Sequence, residues 1–502
     1  MTTSSTQNTS DTLPPLRRWQ AACLEQALRD LSPDHPHFLC QATPGAGKTR
    51  FVALLAKALM DQGRIDYVIY LGPTRAVVAN AVAALEATTG LPMDGELGAS
   101  GAGFTYQALQ HRLKPLMRLA KQRRTMVIWD EGHHAAGDEG SPVGANQWGK
   151  GLLALERHVT YTVALSGTPW RTDGSCLPLL RYLEVRDEED DAADDQTASA
   201  PHKRQLQPDF VYTLREAILD GVCRYPRIAL VDNRAITLKG FHRRTGRPET
   251  RRYPSIPRLL THPAVHYASL VRDEALIDRL LTVGCKRLAK VRRQHPNAAG
   301  LVVAADILHA EAIAQRLEDD GHDVCLVTSR DPHAHERLER FREASTPWIV
   351  SVGMISEGVN ITRLRVCCYL SHIRTETHFR QVLGRIIRRI GEKDGVCWLF
   401  ALNDPQLRHY ARRLADDLPT DLGTVTVPTP PTSTGHNPAP GTGMPASVPP
   451  SDETPPAGAP AASNAQDVAV SFGADTQVSD HNADVAFSTA FFERLVALRL
   501  TP

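Results

Sequence analysis

The sequence predicts an α/β chain of two mostly parallel-sheet domains flanking a cleft. Three observations carry that expectation. Short apolar runs alternate with helical patterns in two separate series, over residues 15–185 and 286–423. An acidic run of the kind that stays solvated divides them. A glycine-rich loop follows the first apolar run and precedes a helical pattern, the context in which a backbone wraps phosphate.

Residues 1–14 are polar and read as a flexible tail. In the first series PHFLCQAT, DYVIYLGP, TMVIWDE and YTVALSG read as buried strands, because strands covered on both faces are continuously apolar. FVALLAKALMDQG and YQALQHRLKPLMRLAKQ read as helices, and alternation of the two implies a parallel sheet. Residues 186–285 open with RDEEDDAADDQTASAPHKR, a boundary or a surface insertion. FVYTLREAILDGVCRYP follows with a helical pattern, and RIALVDNRAITLKGFHRR reads as paired strands in a basic segment. In the second series LVVAADI, DVCLVTS, WIVSVGM, VCCYLSH and VCWLFAL are strand candidates, with HAEAIAQRLEDDG and THFRQVLGRIIRRI as helices. Residues 424–486 are rich in Pro, Gly, Ser and Thr and cannot repay their ordering entropy, so disorder is expected. Residues 487–502 have the pattern of a short amphipathic helix on a tether, which could dock on this chain or on a protein partner, or simply pack as a terminus.

A length of 502 residues suits two or three domains. Net charge is +1, from 57 basic and 56 acidic side chains, so nothing in bulk draws the chain to nucleic acid and any such track must be a local groove. None of the nine cysteines forms a Cys-x-x-Cys pair, which argues against a zinc ribbon and a disulfide framework and for a reduced cytoplasmic setting. No apolar stretch reaches the roughly 18–20 residues that span a bilayer, so no membrane partner is expected.

The phosphate loop is ATPGAGKT, residues 42–49. Thr43, Pro44, Gly45, Ala46 and Gly47 form the turn, with backbone N–H groups facing inward. Lys48 is placed to bridge β- and γ-phosphates, and the Thr49 hydroxyl to hold magnesium. Ala42 stands where the strict pattern has glycine. Downstream, WDEGHH ends an apolar strand. Asp130 is suited to hydrated magnesium and Glu131 to orienting and deprotonating water. His133 could couple this site to its neighbours, with His134 a bystander. ATP and Mg²⁺ are therefore the expected ligands. In the second series Gln381, Arg385 and Arg388 lie four and three residues apart, on one face of a helical pattern, and arginine forks fit phosphate oxygens.

Jointly these motifs resemble superfamily 2 helicases of the DEAD/DEAH-box-like group, which includes the motor subunits of type I and type III restriction enzymes. The resemblance covers about residues 14–415 and implies two RecA-like domains around an ATP cleft. It implies that Gln20 of LRRWQ lies against adenine. Pro73, Thr74 and Arg75 of GPTRAVVANA would contact nucleic acid, as would Thr105 and Gln107 of TYQ. Gly132 stands where relatives commonly carry Ala or Cys, a change that removes only a methyl. Ser166 and Thr168 of SGTPWR would link hydrolysis to movement, and NQWG, residues 146–149, resembles the restriction-motor branch. SVGMISEGVNI would place Glu357 and Gly358 at the nucleotide, with Asn360 where many relatives carry Asp. QVLGRIIRR would bring Gln381 to the γ-phosphate, with Arg385 and Arg388 as arginine fingers. The implied activity is an ATP-driven helicase or translocase, with DNA favoured over RNA. A duplex remodeller, the motor of a restriction or phage-defence complex, and a nucleotide-gated switch without motor activity are the rival readings. The basic stretch KGFHRRTGRPETRRYP, residues 239–254, is either a nucleic-acid contact or a solvated loop.

Overall fold

The computed structural model describes residues 15–132, 147–170, 176–185, 202–241, 247–352, 361–389, 391, 394–415, 424–427 and 484–496. The first domain runs α1 (Arg18–Asp30), β1 (His37–Ala42), α2 (Lys48–Asp61), β2 (Tyr67–Gly72), α3 (Arg75–Thr89), β3 (Gly101–Thr105), α4 (Tyr106–Gln122), β4 (Thr125–Asp130), α5 (Gln147–Glu156) and β5 (Tyr161–Ser166). Three short strands follow, β6 (Tyr182–Val185), β7 (His202–Leu206) and β8 (Phe210–Tyr212). The main sheet is parallel throughout, in the order β3-β2-β4-β5-β1-β8. Strands β2, β4 and β5 are buried at every residue, as their unbroken apolar runs require. Register sets Gln41 beside Ser166 and Asp130 beside Leu165. The start of the phosphate loop, Asp130 and Ser166 thus emerge together at the carboxyl edge of the sheet, where open α/β sheets bind ligands.

The second domain runs α6 (Leu214–Leu219), β9 (Tyr225–Asn233), β10 (Ile236–Phe241), β11 (Pro248–Tyr253), α7 (Ile256–Leu259), α8 (Tyr267–Leu270), α9 (Glu274–Arg292), β12 (Ala299–Ala304), α10 (Ile307–Asp319), β13 (Val324–Val327), α11 (Ala334–Glu343), β14 (Trp348–Val352), β15 (Leu364–Tyr369), α12 (Glu376–Ile386), β16 (Val396–Leu402) and α13 (Pro405–Arg412). Strands β17 (Thr424–Val427), β18 (Asp484–Phe487) and β19 (Phe491–Leu495) complete the described chain. Its main sheet has the order β13-β14-β12-β15-β16-β9-β19, parallel except for β19. No described helix is long and apolar enough to cross a membrane.

Three elements differ from the expectation. Strand β9 pairs in parallel with β16, so the second sheet draws on residues well before 286. In FVYTLREAILDGVCRYP only 214–219 is helical: Thr213 and Glu216 form a capping box there, while Phe210–Tyr212 extend along Cys40–Ala42 as β8. The third is a correction. The amphipathic helix expected from 487 onward is instead a strand over Phe491–Leu495, preceded by β18. Strand β19 lies antiparallel on β9 and β18 antiparallel on β10, so 484–495 form one bent ribbon beside 229–239. Asn233 donates to the Ser488 carbonyl at 2.7 Å, Phe487 stacks on Phe491, and Arg279 pairs with Glu493. The exposed edge of β9 supplies backbone partners that a helix pattern cannot foresee. The terminal segment therefore docks on its own chain.

Deleting residues 484–502 should uncover the β9 edge. The expected result is a fall of at least ~3 °C in the thermal midpoint, with concentration-dependent light scattering; an unchanged midpoint and a monodisperse sample would show that the ribbon contributes nothing.

Candidate nucleotide site

The phosphate loop turns through two left-handed glycines, Gly45 (φ 82°) and Gly47 (φ 94°), and α2 begins at Lys48. Left-handed backbone favours glycine, and a methyl on Gly47 would in addition press on the Gln20 amide nitrogen, 2.9 Å away at the end of its side chain. Gln20, expected against adenine, braces the loop by donating from that amide to the Gly47 carbonyl at 3.0 Å. Arg17 does the same for the Ala46 carbonyl at 2.5 Å. The loop is tied to β8 through Thr43 N–H, which donates to the Tyr212 carbonyl at 3.1 Å. Lys48 donates to the Ala42 carbonyl at 3.1 Å and stands 3.7 Å from Glu131.

Asp130 and Glu131 share a strand end but not an environment. The buried Asp130 accepts from the Tyr70 hydroxyl at 2.7 Å, and its carbonyl accepts from the Tyr106 hydroxyl at 2.7 Å. Trp148, within the NQWG segment, stacks on Tyr106 with centroids 5.7 Å apart. Burial, followed by the neighbouring Glu131 charge, pushes the Asp130 carboxyl up to about 6; Lys48 and Tyr70 pull against that rise. A divalent cation would supply the missing positive charge. Among the described residues no group of three or more His, Cys, Asp or Glu converges. One carboxylate and the Thr49 hydroxyl suit magnesium, which keeps several of its waters.

Glu131 has φ 54°, a left-handed conformation that costs a side-chain-bearing residue about 1–2 kcal/mol. Two bonds from its N–H hold it there, to the Leu165 carbonyl at 2.8 Å and the Asp130 carboxylate at 3.1 Å. The turn aims its carboxylate at Lys48 and at Ser166, whose hydroxyl donates to it at 3.4 Å. The Thr168 N–H donates to Ser166 Oγ at 3.1 Å, joining both residues of that loop to the acid. Gly132 is not a harmless loss of a methyl: a Cβ there would lie 2.5 Å from the fully buried Trp129 ring.

The second domain reaches this site through α12. Pro44 of the phosphate loop sits between two glycines. A methyl on Gly167 would lie 2.8 Å from Pro44 Cδ, and one on Gly384 would lie 2.7 Å from Pro44 Cβ. The buried Cys223 thiol points at the Pro44 carbonyl, 3.8 Å away. Gln381 and Arg385 share α12, but the helix ends at Ile386 and Arg388 lies beyond it, bridged to Cys223. The expectation of one continuous helical face for Gln381, Arg385 and Arg388 is corrected accordingly. The cause is Arg224, whose guanidinium takes the Ile386 carbonyl at 2.7 Å, an acceptor that a continuing helix would use itself. Its backbone N–H takes the Ile387 carbonyl at 2.7 Å. Arg388 then lies against the phosphate loop: a methyl on Gly45 would be 3.0 Å from its Cγ. Burial first, then Arg385, draws its guanidinium down to about 9, with Cys223 and Glu131 opposing. It is still a cation at neutral pH.

Thr74 and Thr105 use their hydroxyls as helix caps, accepting from Val77 and Ala108 N–H at 3.3 Å each. Arg75 and Thr105 line one cleft of about 360 Å³ with Phe104 and Asp94. Pro73 is half-buried beside Arg75, and Gln107 is exposed. His133, Glu357, Gly358 and Asn360 lie outside the described residues. Tyr70, Arg224 and Gly384 were not singled out by sequence reasoning. A tyrosine inside the apolar run DYVIYLGP and a glycine inside a helical pattern were the available signals for two of them; Arg224 left none.

Fold and site together define a two-domain α/β protein whose glycine-rich loop after β1 is faced by a basic segment of the second domain. Residues 13–171 match the family model described as type III restriction enzyme, res subunit. Over those residues the similarity to superfamily 2 helicases and to restriction-enzyme motor subunits, read from the motifs, is borne out. An uncharacterized protein of Mycobacterium tuberculosis (strain ATCC 25618 / H37Rv) is 29% identical over 419 residues, covering 80% of this chain. The match spans 63% of that relative's length. Among solved structures, a fragment described as an HsdR subunit of a type I restriction enzyme from Vibrio vulnificus YJ016 is 15% identical. It gives a TM-score of 0.49 over 80% of this chain and 67% of its own. S. cerevisiae Dbp5 bound to RNA and ADP BeF3 is 12% identical, with a TM-score of 0.47 over 80% and 87%.

Two substitutions check the geometry. Gly132→Ala should destabilise the protein by about 1–3 kcal/mol through overpacking against Trp129, measured by denaturant unfolding; a neutral result would mean that the ring moves freely. Tyr70→Phe should weaken Mg²⁺ dependence of nucleotide binding about tenfold, as loss of an outer hydrogen bond to a ligand does, measured by Mg²⁺ titration with a fluorescent nucleotide.

Proposed function

We propose that this chain is an ATP-driven nucleic-acid motor, acting on DNA in preference to RNA. The observation that carries this reading is the approach of Arg388 to the phosphate loop from the other domain, beside Lys48 and Glu131. In this reading Thr43, Pro44, Gly45, Ala46 and Gly47 cradle the phosphates and Lys48 neutralises them. Magnesium held by Thr49 and Asp130 would offset charge on the β- and γ-phosphates. Glu131 orients and deprotonates the attacking water. Gln381, Arg385 and Arg388 meet the γ-phosphate from the opposite side, where an arginine finger contributes about 10³–10⁵ in rate.

ATP touches both domains and ADP lacks the phosphate that the arginines hold, so the nucleotide favours the closed arrangement only before hydrolysis. If each domain grips the same strand, alternate closure moves the protein along it. Arg75 and Thr105, brought to one cleft, are the first domain's candidates for that grip. Backbone contacts of this kind carry motion without reading sequence. The preference for DNA follows from similarity to the restriction-enzyme family over residues 13–171. The β10–β11 hairpin adds exposed Arg247, Arg251 and Arg252, with Arg251 paired to Glu249 at 2.5 Å.

ATPase activity measured with single-stranded DNA, duplex DNA, RNA and no polymer tests the proposal. Stimulation by DNA is expected; equal rates under all four conditions would reject a motor. Lys48→Ala should abolish turnover, Glu131→Gln should hold ATP without hydrolysing it, and Arg388→Ala should bind ATP yet turn over about 10³-fold more slowly.

A further inference from the structure

We propose that Arg380 and Trp170 are positioning residues that report closure of the two domains to the catalytic base Glu131. The inference rests on the two-domain nucleotide reading and assigns roles to two residues to which that reading gave none.

Arg380 lies on the face of α12 turned toward the first domain. With Leu383 and Ile387 it lines a cavity of about 30 Å³ whose other wall includes Gln41, Thr43, Pro44 and Gly167. Its guanidinium lies over the Trp170 ring, 5.6 Å from the centroid. It is not free to wander. Glu376, buried one turn back on α12, holds it at 2.8 Å, and the Arg413 carbonyl accepts from it at 2.9 Å. A guanidinium fixed by a buried carboxylate is desolvated, the condition under which a cation over an indole face is held most strongly.

Trp170 is 3% exposed and lies four positions after Ser166, the last residue of β5. Its backbone N–H donates to the Thr168 carbonyl at 2.8 Å, the Thr168 N–H to Ser166 Oγ, and Ser166 Oγ–H to Glu131. A continuous set of contacts therefore joins Glu131, through Ser166, Thr168 and Trp170, to Arg380. Arg380 is on the helix that carries Gln381 and Arg385 and that packs Gly384 on Pro44. When α12 leaves the phosphate loop, Arg380 leaves the indole, and the loop that orients Glu131 loses its outer support. On this proposal the contact belongs to the closed arrangement alone, which is what a coupling element must do.

Because ATP favours the closed form and ADP does not, losing the contact should weaken binding of a non-hydrolysable ATP analogue and spare ADP. The experiment compares Kd values for the two nucleotides, by fluorescence anisotropy with Mg²⁺, in the full chain. Arg380→Met and Trp170→Leu should each weaken analogue binding about three- to tenfold with ADP binding unchanged. Arg380→Lys and Trp170→Phe, which keep a cation and a π-face, should recover most of it. The double variant Arg380→Met/Trp170→Leu should be no worse than the worse single variant. Equal losses for both nucleotides would mark a structural role and overturn the proposal. Multiplying losses would show that the residues act separately, and wild-type affinities would show that the contact couples nothing. Absence of DNA-stimulated ATPase in the wild type would remove the motor reading while this comparison still tests the contact. Failure of the wild type to bind either nucleotide would remove both.

Discussion

Pro44 held between Gly167 and Gly384 is the constraint on which the arrangement depends. One ring of the phosphate loop touches the loop after β5 on one side and α12 on the other, with no room for a methyl at either glycine. Close backbone approach of this kind makes the two domains' relative placement a property of the nucleotide loop itself. Whatever moves the loop moves both neighbours, because packed interfaces have discrete arrangements and deform little between them.

Behind α12, the second domain buries a charged group to keep this approach in register. Arg224 is fully buried and meets Asp394 through two bonds, at 2.5 and 2.6 Å, while its remaining donors take the carbonyls of Thr362, Leu364 and Ile386. Arg365 adds a second cation on Asp394 at 2.9 Å. Burying such a group is costly unless every polar atom finds a partner. Here the partners are the carbonyls at the end of α12 and in the segment leading to β15. The ion pair thereby fixes where the helix stops, and so where Arg388 leaves it.

Much of this was legible because the chemistry is local. The phosphate loop, Asp130 and Glu131 each follow an apolar strand, and strand plus loop is a short-range pattern. What escaped notice depends on distant partners. Nothing in DEGHH reveals that Trp129 occupies the space beside Gly132, since the two are juxtaposed by a turn that the left-handed Glu131 creates. The periodicity of QVLGRIIRR runs on through Arg388, yet Arg224, more than a hundred residues upstream, ends the helix first. Strand β9 carries the apolar run RIALV, but only its pairing with β16 shows which sheet it joins. A helical pattern in the last described segment lost to the backbone groups of β9 for the same reason.

That last pairing also bears on how the protein is made. Ser488 must meet Asn233 across a separation of 255 positions. At roughly 5–20 residues per second of synthesis, the outer edge of β9 waits on the order of 10–50 s for its partner to emerge. Through that interval a nascent chain offers an open strand to any neighbour on the same messenger, and chaperone cover over this one edge becomes a matter of translation speed.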